Sequence, residues 1–260
     1  MTQFYSYSPD YLWSLIGTPS SPTLIDVRID EDFDQDPRLL PAAVRLSHMQ
    51  MEHWTLAPSE KQVLVYCEKG LKLSEGVAAW LRLSGIKAGI LQGGFQNWRA
   101  CGFSLVPAAE IPERFESGTR WVLPQRGGVG HIACAWLVRR FIDEDAVFLF
   151  VGEEQTDAVA ERYQAGSFDQ KRLDGGVEAT TGRFSALMAT FKLQTSALQK
   201  LAGIIDAIER AEPQQVPEAI GFCALLEGLS HMCHDDLKQL EAQMPFYDAL
   251  YHWAQEQEDE

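Results

Sequence analysis

Val63-Leu64-Val65-Tyr66-Cys67-Glu68-Lys69-Gly70-Leu71-Lys72-Leu73-Ser74 is the stretch that decides the reading of this chain. Val63 to Tyr66 is a short apolar run between polar residues, too brief for a helix and suited to a buried strand. Cys67 closes the run, a short loop with one glycine follows, and the pattern from Ser74 to Leu83 predicts a helix ended by Gly85. A cysteine in that place stands at the carboxyl end of a strand, where open α/β sheets bind ligands. A loop wrapped into a helix N-terminus turns backbone N–H groups inward, and the helix dipole adds positive potential. Both favour the thiolate of Cys67, and the same surroundings would stabilise a terminal persulfide anion. Lys69 and Lys72 add local positive charge that can steer an anionic sulfur donor such as thiosulfate.

Two other readings of Cys67 compete. A free cysteine is most often a small buried hydrophobe, but the Glu-Lys-Gly that follows is not a core pattern. A cysteine phosphatase needs an arginine six positions after the nucleophile to fork onto phosphate, and position 73 is leucine.

The flanking sequence supplies a frame for this loop. Ser8-Pro9-Asp10 opens a helix, with Leu12, Leu15 and Ile16 as its apolar face. Thr23 to Val27 and Ala88 to Leu91 are further short strands, and Phe95 to Ala100 is a helical turn closed by Gly102. Strands alternating with helices indicate a parallel sheet with helices on its faces.

With these pieces in place, the N-terminal part resembles the rhodanese family. The Cys67 loop is similar to that family's C-x-x-G-x-[R/K] active-site loop, so Glu68, Lys69, Gly70, Leu71, Lys72 and Leu73 would line the substrate. Leu24-Ile25-Asp26-Val27-Arg28 resembles the strand with its Asp-x-Arg, and Asp26 and Arg28 are then structural supports. Leu91-Gln92-Gly93-Gly94-Phe95-Gln96-Asn97-Trp98 resembles the Gly-Gly turn into the last helix. The resemblance implies a central parallel sheet and sulfur transfer from a small donor to a thiol or cyanide acceptor, with no cofactor. Many rhodaneses carry serine where Leu73 stands, and Ser74 follows, so closure of the loop at Lys72 or at Leu73 stays open.

Pro107 to Gly118 holds two prolines and four charges and few apolar residues, which predicts domains at 1–108 and 119–257 with a linker at 109–118. Beyond it, Trp121-Val122-Leu123 and Val147 to Val151 suit strands, and Ile132 to Ile142 a helix. From Ser185 the pattern is helical almost to the end, with stops expected at Pro213, Pro217 and Pro245. The expected second domain is therefore mainly helical, of α+β type. His131-Ile132-Ala133-Cys134-Ala135-Trp136-Leu137-Val138-Arg139-Arg140-Phe141-Ile142-Asp143, Ala146 to Val151 and Phe246 to Tyr251 resemble the C-terminal domain of ChrB-type chromate-resistance proteins. That resemblance implies a role in chromate resistance or its regulation, as an enzyme or as a sensor.

The candidate residues of the second domain are Cys134, Arg139, Glu178 and Asp235. Cys134 lies in an apolar helical stretch and suits packing more than chemistry. Arg139 is placed to pair with Asp143 one helical turn on, with oxyanion binding as the lesser alternative. The family's pattern has histidines where this chain has Thr181, after Val177-Glu178, and Leu237, after Asp235-Asp236. His231, Cys233 and His234 stand nearby, the two histidines three apart as if on one helix face, but a metal site is not expected. Gly128-Val129-Gly130-His131-Ile132-Ala133 spells a dinucleotide fingerprint, yet Pro124 to Gly127 separate it from the preceding strand.

The whole chain of 260 residues suits two domains. Its net charge of −15 is uneven: residues 1–110 hold 9 Lys and Arg against 12 Asp and Glu, the rest 13 against 25. Such a chain repels phosphate backbones and anionic bilayers, so neither nucleic acid nor membrane is an expected partner. The expected partners are a small-molecule sulfur donor and a thiol acceptor. Five scattered cysteines without CxxC spacing, and no signal-like or spanning apolar segment, point to a reducing, cytoplasmic setting. The oligomeric state leaves no mark in the sequence.

Overall fold

A computed structural model describes residues 6–54, 61–168 and 182–257. The chain divides into two compact units, Met1–Ala109 and Glu110–Glu260. Glu178, Thr181 and the Val177-Glu178 stretch lie outside the described residues.

Unit 1 is built on five parallel strands in the order β1-β6-β5-β2-β4: β1 (Ser6–Tyr7), β2 (Thr23–Asp26), β4 (Ala43–Arg45), β5 (Val63–Tyr66) and β6 (Ala88–Leu91). β5 lies in the middle, in register from Thr23↔Val63 to Asp26↔Tyr66 on one side and from Val63↔Ala88 on the other. All four of its residues are buried, which is why it reads as an unbroken apolar run. Helices α1 (Pro9–Leu15), α2 (Asp30–Gln35), α3 (Lys72–Leu83) and α4 (Gly94–Ala100) complete the unit, with an antiparallel pair of β3 (Arg38–Leu39) and β7 (Val106–Pro107) beside the sheet. α1 starts as its sequence predicts: Ser8 accepts from the Tyr11 N–H and Pro9 takes the first position. α3 starts at Lys72, two residues earlier than the pattern predicts. Among the described residues no side chain caps it, because the cap position is Leu71, whose side chain has no acceptor.

Unit 2 joins a small sheet to a set of helices. β9 (Gly118–Pro124) is central, with β10 (Val147–Val151) and β11 (Gly166–Ser167) parallel to it on its two sides. β8 (Arg114–Phe115) folds back on β9 antiparallel, so part of the stretch expected as linker is sheet. Arg114 is held there by ion pairs to Asp143 and Asp145. α5 (Val129–Phe141) connects β9 to β10, and every residue from Ile132 to Val138 is buried. A helix apolar on all sides must be covered on all sides. α6 (Thr156–Arg162) connects β10 to β11, and α7 (Arg183–Thr190), α8 (Ser196–Glu209), α9 (Pro217–Met232) and α10 (Asp236–Glu256) form the helical body. The parallel β9-α5-β10 crossover is a feature the α+β expectation lacked.

Three sequence expectations need correction here. Pro245 does not stop a helix, since α10 runs through it. Its missing N–H costs one backbone bond, but Leu240, Gln243 and Met244 before it and Tyr247, Tyr251 and Ala254 after it are all buried, and that packing holds both halves in line. Arg139 does not pair with Asp143. It pairs with Glu241 of α10 and its guanidinium lies 5.1 Å from the Phe148 ring centroid, while Asp143 belongs to Arg114 and to the Thr119 N–H. His231 and His234 do not share a helix face, because α9 ends at Met232 and the chain is extended at Cys233. Among the described residues no helix is long and apolar enough to cross a membrane.

Candidate active site

Cys67 immediately follows β5, at the carboxyl edge of the middle strand, and is 6% exposed. Glu68 to Leu71 form the loop and α3 begins at Lys72, so the loop closes at Lys72. Two glycine turns hold its shape. Gly70 has φ +64°, and a Cβ there would stand 2.5 Å from the Gly94 nitrogen and 2.6 Å from the Leu91 oxygen. Gly94 has φ +59°, and a Cβ there would stand 2.2 Å from the Cys67 oxygen and 2.4 Å from the Gly70 nitrogen. The two backbones thus interlock at a distance no side chain allows. Phe95 and Gln96 at the start of α4 donate their N–H groups to the carbonyls of Cys67 and Glu68, both at 3.0 Å. Those carbonyls are drawn to α4, which leaves the loop's N–H groups for other use. Among the described residues, those of Glu68 to Leu73 meet no protein acceptor. They are the donors an anion on Cys67 would need.

The Cys67 thiol donates to the Ser74 Oγ at 3.4 Å, and the Ser74 hydroxyl donates to the Leu71 carbonyl at 3.0 Å. Rotating that hydroxyl would turn it from acceptor into donor toward a thiolate. Ser74 is fully buried in the first turn of α3, whereas Leu73 is half-buried and packs on the same core cluster as Cys67. The polar role therefore falls to position 74, and Leu73 leaves no place for a phosphate-binding arginine. Ser74→Ala should slow sulfur loading of Cys67 about tenfold while costing only about 1 kcal/mol of stability, the usual worth of one hydrogen bond. Persulfide formation at an unchanged rate would remove Ser74 from the site.

Asp26 and Arg28 stand behind the loop. Arg28 is 2% exposed and donates through Nε and Nη2 to both oxygens of Asp26, at 2.7–3.1 Å. Its remaining donors take the carbonyls of Asp36 and Arg38. Its guanidinium lies 3.8 Å from the Phe95 ring centroid, on the first turn of the helix that holds the Cys67 loop. Burial works against this charge, but the Asp26 hydrogen bonds and charge overcome it and hold the guanidinium above its ordinary pKa, with Glu68 contributing. Glu68 is half-buried in the loop. Lys69, Leu71 and Lys72 are exposed at its mouth, and among the described residues neither lysine has an ion-pair partner.

Among the described residues, the second-unit candidates Cys134, Arg139 and Asp235 do not gather into one site. Cys134 is fully buried in α5, and burial, with the negative charge of Glu209, pushes its thiol well above the ordinary range. It is a packing residue. Arg140 forks onto Asp248, which also accepts from the Trp136 indole at 2.8 Å, so both arginines of α5 tie it to α10. Asp235 caps α10 by accepting from the Lys238 N–H at 2.9 Å, and Asp236 accepts from the Arg126 N–H. Among the described residues no three His, Cys, Asp or Glu side chains group as metal ligands.

Residues 8–101, which carry this loop and its supports, match the model of the rhodanese-like domain. Residues 121–254 match the model described as ChrB, C-terminal domain, and so more than half of the chain is accounted for by it. The chain belongs to the ChrB C-terminal domain family. Protein ChrB of Cupriavidus metallidurans is 32% identical over 154 residues, which is 55% of this chain and 44% of that relative. The match thus spans less than half of the ChrB relative's length. Similar solved structures include a rhodanese-related protein from Thermoplasma volcanium, 19% identical over 40% of this chain and 98% of that one, with a TM-score of 0.35. Another is a thiosulfate sulfurtransferase from Pseudomonas aeruginosa, 23% identical over 40% of this chain and 19% of that one, with a TM-score of 0.33. A rhodanese-like domain precedes a ChrB C-terminal domain in this chain, as their motifs predict.

Sequence reasoning missed the reason for the Gly-Gly turn. Its spacing marked a turn, but contact with the Cys67 and Glu68 carbonyls joins residues almost thirty positions apart and leaves no local pattern.

Proposed function

We propose that this chain is a sulfurtransferase whose Cys67 carries the sulfur, in the context of chromate or oxyanion stress. The Cys67 thiolate attacks the outer sulfur of thiosulfate. A sulfur–sulfur bond forms as the bond to the sulfite group breaks, and sulfite leaves. A thiolate or cyanide then attacks the terminal sulfur, and Cys67 departs as a thiolate. The observation that carries this reading is the loop from Cys67 to Leu73, with a serine on the sulfur and, among the described residues, unpartnered N–H groups and two lysines without ion-pair partners at its mouth. The N–H groups would hold the persulfide anion, and burial of Cys67 would keep it from adventitious thiols. Incubation with thiosulfate should add one sulfur atom to the chain, and cyanide should remove it. A chain that gains no sulfur from thiosulfate overturns the proposal.

Lys72 supports an anionic donor in particular. It is the first residue of α3, where a cation opposes the helix dipole, so local stability does not explain it. Lys72→Ala should leave the melting temperature unchanged or slightly raised. It should also lower kcat/KM for thiosulfate about five- to tenfold, the scale of one exposed charge-assisted contact, with little change for a neutral sulfur donor. Equal losses on both donors would make Lys72 a loop-shaping residue.

A sensor is the second reading, favoured by the 6% exposure of Cys67, which restricts a second reactant more than a first. An enzyme gives many turnovers with excess donor and acceptor, and a sensor gives one stable modification per chain.

A further inference from the structure

Unit 2 contains a cavity of about 700 Å³ that neither the sulfur chemistry nor the packing of the fold uses. It opens at the start of α5, where β9 ends at Pro124 and the chain turns through Gly127 and Gly128. The start of α5 and residues of α7 to α10 wall this cavity. β9 connects through α5 to β10 on one side, and β10 connects through α6 to β11 on the other. Connections that diverge in this way leave a crevice at the carboxyl ends of parallel strands. A second hollow of about 90 Å³ lies there, lined by Val122 and Pro124 of β9 and Ser167 of β11, and it shares His131 and Arg183 with the large cavity.

Three observations describe what the cavity would take. No side chain caps α5, and among the described residues the N–H groups of Gly128, Val129 and Gly130 have no acceptor. The helix has thirteen residues, so its dipole is developed. Second, Gln243 lines the cavity while only 2% exposed. Its Nε2 donates to the Leu226 carbonyl at 3.1 Å, which fixes the orientation of the amide, and its Oε1 has no partner among the described residues. A buried acceptor left unsatisfied is costly, and a ligand donor would relieve it. Third, the charged lining is balanced: Arg126 and Arg183 face Glu209 and Glu227. Arg183 and Glu209 already pair with each other, and a Cβ on Gly130 would collide with the Glu209 carboxylate. Arg183 offsets only one charge of Glu209, so a pyrophosphate or free phosphate would add unbalanced negative charge beside it and a simple cation would meet the arginines, whereas a ligand of both signs brings its own ammonium to the carboxylates.

We propose that this cavity binds an amino-acid or short-peptide zwitterion. Its carboxylate would lie on the N–H groups of Gly128 to Gly130 with Arg126 beside it. Its ammonium and amide donors would face the Gln243 Oε1 and the Glu227 carboxylate. The volume lies within the range of small-molecule sites and leaves room for a tripeptide.

The full chain is titrated calorimetrically with each of the twenty L-amino acids, triglycine and glutathione, and with inorganic phosphate and ethylamine as single-charge probes. At least one zwitterion should bind, and phosphate and ethylamine should not. Arg126 is exposed and has φ +53°, so Arg126→Gly removes the guanidinium without strain and keeps the N–H that Asp236 accepts. It should weaken the bound zwitterion about tenfold at an unchanged melting temperature. Glu227→Gln should weaken it as well and raise the relative affinity for amidated-amine or acetylated forms. Binding by no zwitterion, equal binding by phosphate, or affinity untouched by Arg126→Gly would each overturn the proposal. Sulfur loading of Cys67 is measured separately, so failure here leaves that reading standing.

Discussion

Replacing Cys67 by serine should abolish the cyanide-labile sulfur and lower turnover by at least about 10³-fold, the scale on which loss of a covalent nucleophile acts. The expected result is specific because Cys134, Cys223 and Cys101 differ from Cys67 in kind, and Cys233 lies just past the end of α9 in the second unit. Cys134 is sealed in the core of unit 2, with its thiol held neutral by burial. Cys223 donates to Glu227, and burial followed by that carboxylate raises its pKa too. Cys101 is exposed but lies beyond the end of α4, away from the Cys67 loop. Serine keeps the small polar side chain beside Ser74, so the fold should survive and melting should stay within about 1 kcal/mol. The measurement is intact mass after thiosulfate and again after cyanide. Added sulfur that persists in Cys67→Ser would assign the chemistry to another residue.

Gly94→Ala should have the second large effect, and it touches no reacting atom. The new methyl would stand 2.2 Å from the Cys67 oxygen and 2.4 Å from the Gly70 nitrogen, on a backbone with φ +59°. Both obstacles are main chain, and no side chain can swing away. The expected loss is about 3 kcal/mol or more, read from the denaturation midpoint, together with failure to load sulfur even below that midpoint. Gly102→Ala is the matched control: it also has positive φ, but nothing lies within 4 Å of its Cβ position, so it should cost only about 1 kcal/mol and leave loading intact. Equal effects of the two would mean that backbone strain alone, and not the interlock with the Cys67 loop, governs the result.

Much of unit 1 was legible because its decisive residues are local in sequence. β5 is buried on both faces and appears as four apolar residues in a row, and the loop chemistry follows it directly. Asp26 and Arg28 are two apart and meet each other. What was not legible depends on partners far along the chain. β1, β3 and β11 are two residues each and exist because β6, β7 and β9 lie beside them. α10 continues past Pro245 because of packing that no local rule contains. Arg139 had a plausible partner one turn away, yet it took Glu241, 102 positions on. The unit 2 cavity collects its wall from the α5 start, α8, α9 and α10, so no single stretch announces it. Its one visible trace was the glycine run at 127–130, which looked like a fingerprint for a different ligand.

The interlock of the two glycine turns also bears on how the protein is made. Synthesis is vectorial, and Cys67 emerges 27 residues ahead of Gly94. At about 5–20 residues per second this is an interval of roughly 1–5 s in which the thiol exists without its anion-binding surroundings. β7, which closes the pair with β3, emerges later still, at Val106–Pro107. During that interval the loop around Cys67 lacks the turn that shapes it, so under the proposed function sulfur loading should begin only after Gly94 has been delivered.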